Sequence, residues 1–171
     1  MVLLLAQRPD LQIQPLRGNL DTRLRKLDDG QYDAIVLAAA GLERLGLSER
    51  VTQFFSPEQM TPAVSQGTLG IEIRCDDAAT AALLAALDDP TARATASAEK
   101  AFMARIGGGC QVAVGAFARL DGDALSLLGM IGAPDGRLVR GEQQGPAADP
   151  EGLGRALAEA LLAEGGAALL G

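Results

Sequence analysis

The chain has 171 residues, enough for one ordinary domain or two small ones, and 48% of them are apolar while only 3% are aromatic, so Leu, Ala, Val and Ile must build the core around Phe54, Phe55, Phe102 and Phe117. A net charge of −7 and a pI near 4.6 argue against nucleic acid or an anionic membrane as a partner, since both would be repelled on average. With no histidine, the usual neutral-pH base and the commonest zinc ligand are missing, which leaves carboxylates, Arg, Lys and Cys for any chemistry.

In chain order, residues 3–8 read as the end of a helix, an opening that looks truncated. They carry neither the basic flank and cleavage site of a signal peptide nor the length of a membrane span. Pro9-Asp10 turns the chain into an extended run, 11–16. Arg17-Gly18-Asn19 follows, and then Leu20, Leu24 and Leu27 at helical spacing up to Asp28-Asp29-Gly30. The apolar run 34–40 is continuous, as in a strand covered on both faces of an α/β sheet, and ends at Gly41 before a short helix around 42–45. Residues 51–55 read as a strand, 63–68 as a small polar crossing segment, and 69–74 as an alternating, half-buried strand.

From residue 76 the chain becomes Ala-rich and helical. Asp76-Asp77 is placed to cap a helix to about Leu87, and Asp88-Asp89-Pro90 opens another to about Ile106. Gly107-Gly108-Gly109-Cys110 breaks that helix. Three strands over 112–120, 124–131 and 137–143, joined at Asp121-Gly122 and Pro134-Asp135-Gly136, form a meander, and Asp149-Pro150 starts a last helix to about Ala163. Residues 76–171 therefore read as an α+β domain with helices on one face of a three-stranded antiparallel sheet.

Two motifs carry candidate chemistry. Arg17-Gly18-Asn19 sits between strand and helix, where free backbone N–H groups favour an anion, and Arg23 adds a second guanidinium fork suited to carboxylates. The plain alternative is that both arginines are solvated and pair with Asp21 or Asp28. The second motif is the glycine loop that ends at Cys110, where a tethered group could come close to the backbone; the alternative is a thiol acting as a small buried hydrophobe. Cys75 keeps that bland reading, and both thiols are expected to be reduced in a cytoplasmic setting. Gln66, beside Gly67, offers an amide to a ligand or serves the turn. The acid pairs at helix ends are explained by capping.

The strings Leu16-Arg17-Gly18-Asn19, Thr22-Arg23-Leu24, Tyr32-Asp33-Ala34-Ile35-Val36-Leu37-Ala38, Ala40-Gly41-Leu42, Arg44-Leu45-Gly46-Leu47, Pro62-Ala63-Val64, Gln66-Gly67, Gly70-Ile71-Glu72 and 107–112, in this order, resemble the porphobilinogen deaminase (hydroxymethylbilane synthase) family over essentially the whole chain. The resemblance implies two α/β domains related to periplasmic binding proteins and a small C-terminal α+β domain. Residues 1–61 would be the later part of the second domain, 62–75 a return segment belonging to the first, and 76–171 the third. It implies a dipyrromethane cofactor bound covalently through a thioether to Cys110, with Arg17, Arg23, Ala38 and Gly41 near the cofactor, and Arg17, Gly18 and Gln66 near the substrate.

In that family four porphobilinogen units are condensed onto the primer with loss of ammonia, in porphyrin and haem biosynthesis. The partners would be porphobilinogen and the growing polypyrrole, with no nucleic acid and no membrane. The family's catalytic aspartate would lie upstream of Met1, so no acid in this chain matches it. The expectation is an incomplete chain that is inactive by itself and prone to self-association where the family is usually monomeric. The rival is a non-catalytic carboxylate- or pyrrole-binding remnant of the same fold.

Overall fold

A computed structural model of the chain describes residues 1–107 and 113–170. Among the described residues six α-helices are formed: α1 (Val2–Gln7), α2 (Leu20–Asp28), α3 (Ala39–Arg44), α4 (Ala78–Leu84), α5 (Pro90–Ile106) and α6 (Pro150–Ala163). Short 3-10 turns lie at Ser48–Arg50, Ala85–Leu87 and Gly166–Leu169. The described strands are β1 (Ala113–Asp121), β2 (Ala124–Gly132) and β3 (Leu138–Pro146), in the order β1-β2-β3, with both pairs antiparallel. By contacts the chain divides into two compact units, residues 11–56 and residues 1–10 with 57–171.

In the larger unit, local chemistry sets the helix starts. Asp89 accepts from the backbone N–H groups of Thr91 and Ala92 ahead of Pro90, Asp149 accepts from that of Gly152 ahead of Pro150, and Asp77 accepts from that of Thr80. Helix α5 stops at Gly107, whose φ of 59° is the left-handed conformation that ends helices at little cost. Along α6, Leu153, Leu157 and Leu161 recur every four residues and face Phe102 and Ile106 of α5 and Leu125, Leu127 and Ile131 of β2. This is the core: two helices on one face of the meander, as the turn and periodicity signals predicted.

Two glycines set its spacing. A Cβ on Gly154 of α6 would stand 2.3 Å from the Ala98 carbonyl oxygen of α5, and one on Gly129 of β2 would stand 2.7 Å from the Phe102 ring. The two helices touch nearly backbone to backbone, and the phenyl ring fills the hollow above β2.

The other face of the sheet is crossed by residues 57–65. The Arg140 guanidinium donates to the carbonyls of Pro57 and Glu58, and the Pro62 carbonyl accepts from the N–H of Ala116 at 3.1 Å. Val2 of α1 packs over Gly132 at the end of β2.

The expected strands at 11–16, 34–40, 51–55 and 69–74 are not formed. The run 34–40 departs further, because Ala39 and Ala40 open α3 with Ala38 at its N-cap, and Gly41 lies inside the helix instead of ending a strand. The reason is that a strand needs a neighbouring chain for its backbone bonds, and these runs find none among the described residues. Their apolar side chains stay open to solvent, with Leu69 93% and Ile71 58% exposed. The α/β half of the expected architecture is thus not realised as a sheet; what the structure supports is helices with one three-stranded antiparallel sheet.

Candidate functional site

The unit 11–56 holds the proposed anion site. Gly18 has a φ of 123°, and a Cβ there would lie 2.9 Å from the Thr22 methyl, so the turn into α2 requires glycine on both counts. Asn19 caps the helix by accepting from the Thr22 N–H at 2.9 Å. Arg23 folds back so that its Nε donates to the Gly18 carbonyl at 2.8 Å, and Lys26 donates to the Arg17 carbonyl at 3.3 Å.

The pairing of Arg17 or Arg23 with Asp21 or Asp28 does not occur. Asp28 is bound by Arg50 at 2.5 Å, and neither Arg17 nor Arg23 forms an ion pair among the described residues. Among the described residues, then, no acid compensates the charge of either guanidinium, and Arg23 is held against the capped start of α2. Ala38 and Gly41 lie in the same unit, at the N-cap and within the first turn of α3.

Gln66 belongs to the larger unit and sits in a tight turn. Its N–H donates to the Ala63 carbonyl, its side-chain oxygen accepts from the Ala63 N–H at 3.2 Å, and the Thr68 N–H donates to the Ser65 carbonyl. Its side chain is exposed. Ser65 holds this turn with a φ of 58°, an unusual conformation for a residue with a side chain, and its buried hydroxyl has no hydrogen-bond partner. Ser65→Gly removes both penalties and is expected to raise the unfolding free energy by about 1 kcal/mol, read from the urea midpoint.

Behind the turn lies Glu99 of α5, 7% exposed, which the sequence reading missed. One carboxylate oxygen accepts from the Ser65 N–H at 2.6 Å and the other from the Ala118 N–H of β1 at 2.8 Å. Burial pushes its pKa above the usual carboxylate range, against the two backbone N–H bonds that favour the charged form. The signal was in the sequence: Glu99, Phe102 and Ile106 share one helical stripe, and an acid inside an apolar stripe must find donors.

Cys110 and the glycines 108–109 lie outside the described residues. The elements on either side are the end of α5 at Ile106–Gly107 and the start of β1 at Ala113. Cys75 is exposed and unpaired.

Comparison with known families matches residues 1–82 to the model described as "Porphobilinogen deaminase, dipyromethane cofactor binding domain" and residues 93–163 to "Porphobilinogen deaminase, C-terminal domain". A porphobilinogen deaminase of Roseiflexus castenholzii is 64% identical over 165 residues, covering 96% of this chain and 54% of its own length. The chain belongs to the porphobilinogen deaminase family. A second such deaminase, from Roseiflexus sp. strain RS-1, is 62% identical over the same share of both chains. The chain thus spans about half the length of the curated porphobilinogen deaminases it matches. The cofactor-binding domain model covers Arg17, Gly18, Arg23, Ala38, Gly41 and Gln66, while Cys110 falls within the match to the C-terminal domain of the deaminases.

Proposed function

We propose that this chain is the cofactor-carrying part of a hydroxymethylbilane synthase, a cytoplasmic transferase of tetrapyrrole and haem biosynthesis, with Cys110 as the thiol that holds dipyrromethane. The observation that carries this reading is the succession of the two deaminase domain models along one chain that is 64% identical to a curated deaminase. Bound there, the cofactor supplies the primer onto which four porphobilinogen units are condensed with loss of ammonia.

The donors present suit such a group. Its pyrroles carry acetate and propionate side chains, and Arg17 and Arg23 offer unpaired guanidinium groups at the start of α2, where the helix dipole adds to their attraction. Ala38 and Gly41 contribute small backbone positions that let rings approach, and in the larger unit Gln66 offers an exposed side-chain amide for the substrate. In this reading residues 1–61 form the later part of a periplasmic-binding-protein-like α/β domain, 62–75 return to the domain before it, and 76–171 form the third domain. The runs 11–16, 34–38, 51–55 and 69–74 then take ladder partners from strands outside these 171 residues. Left unpaired, their exposed Val36, Phe54, Leu69 and Ile71 favour self-association.

No acid among these residues corresponds to the family's catalytic aspartate, so the 171 residues alone are expected to give no turnover. The test is the intact mass of the purified chain and of Cys110→Ala, alongside reaction with an acidic aldehyde reagent for pyrroles and assay for hydroxymethylbilane. A mass excess of two pyrrole units that disappears in Cys110→Ala supports the reading. An excess that persists in Cys110→Ala assigns the tether to another residue and overturns it.

A further inference from the structure

Strand β1 is an edge strand, since the sheet order is β1-β2-β3, and every second backbone N–H along it points away from β2. Two of these donors are taken without a fourth strand. The Ala116 N–H goes to the Pro62 carbonyl at 3.1 Å, and the Ala118 N–H goes to the Glu99 carboxylate at 2.8 Å. Glu99 reaches the edge from α5 and uses its second oxygen for the N–H of Ser65 at 2.6 Å. One buried side chain therefore joins a helix, an edge strand and the turn of residues 63–68. It ties the backbone of Ser65, held at a φ of 58°, to helix α5.

We infer that Glu99 is a positioning residue that fixes the turn presenting Gln66. The inference rests on the proposed function in so far as Gln66 meets the substrate. A conformation as unfavourable as that of Ser65 persists only when its surroundings over-determine it, and a charge-assisted bond from a buried carboxylate is stronger than a neutral one. Gln66 follows Ser65 directly, and its side-chain oxygen is already committed to the Ala63 N–H. With that oxygen held on Ala63, its NH₂ group is aimed by the same turn whose Ser65 backbone Glu99 holds. Glu99 touches no reacting atom in this scheme; it decides where Gln66 stands.

Glu99→Gln keeps the shape of the side chain but faces one of the two N–H donors with an NH₂ group. Amide exchange in the ¹⁵N-labelled 171-residue chain then reads the effect residue by residue. Exchange at Ser65 and Ala118 is expected to accelerate about tenfold or more relative to Leu157 in α6, with a shift of the Gln66 side-chain amide signal. Leu161→Ala, which weakens the core by removing a side chain far from the turn in sequence, is the control: it is expected to leave that ratio and that signal unchanged. If Glu99→Gln does not fold, Glu99→Asp, which withdraws the carboxylate by one methylene, is read in its place.

Unchanged relative protection of Ser65 and Ala118 overturns the inference, as does an equal change in the Leu161→Ala control. Titration with porphobilinogen separates the two claims. A Gln66 signal that responds in the wild-type chain, and about tenfold more weakly in Glu99→Gln, supports both. No response in the wild type, with the loss of protection still present in Glu99→Gln, counts against the substrate role of Gln66 and supports the positioning role of Glu99.

Discussion

Phe102→Ala is expected to lower the unfolding free energy of the larger unit by about 3–5 kcal/mol, the usual cost of emptying a fully buried aromatic site. Phe102 is 0% exposed and lies over Gly129 of β2, beside Leu157 of α6. The cavity left behind is walled by α5, α6 and the sheet, and the sheet cannot sink into it without breaking its ladders. The measurement is the urea midpoint of the variant, with the slope checked for two-state behaviour. A loss below about 1 kcal/mol would show that the layers collapse freely, contrary to interdigitated packing. Gly129→Ala adds an independent check: its new methyl meets the Phe102 ring at 2.7 Å, so it should be costly in the wild type and cheaper when Phe102 is already Ala.

Gly154→Ala is expected to cost about 3 kcal/mol, at the upper end for overpacking, although alanine is the better helix former. Here the clash is with backbone, since the added methyl would stand 2.3 Å from the Ala98 carbonyl and 2.8 Å from the Phe102 nitrogen. No rotamer change relieves such a contact, so α5 and α6 must separate. The same exchange at Gly41, where a Cβ meets nothing within 4 Å, is the internal control and is expected to be neutral or slightly stabilising. Thermal melts of the two variants against the wild type decide it; equal melting temperatures would falsify the close helix crossing as a determinant of this core.

Much of the larger unit was legible because its signals are local. Asp77, Asp89 and Asp149 cap helices whose first turns follow them directly, and Gly107 stops α5 one residue after its apolar stripe ends. The hairpins close at Gly122 and Gly136, both with positive φ, so β1, β2 and β3 find each other within a few residues. The runs 11–16, 34–40, 51–55 and 69–74 have equally clear strand character in sequence but no ladder, because hydrophobic pattern specifies a face and says nothing about where the partner strand is.

The candidate site divides along the same line. Sequence alone pointed to Arg17, Gly18 and Arg23 around a helix start, since capping, turn geometry and charge all act over a few residues. Only the tertiary structure decided that Arg50 occupies Asp28 and leaves both arginines unpaired, because that contact spans 22 positions. Only the tertiary structure brought Glu99 to Ser65, 34 positions away, and to Ala118 across the edge of β1. A periodic pattern can mark an acid as facing inward, but the donors that make its burial tolerable come from other elements, and the packing of helix on sheet determines which ones arrive.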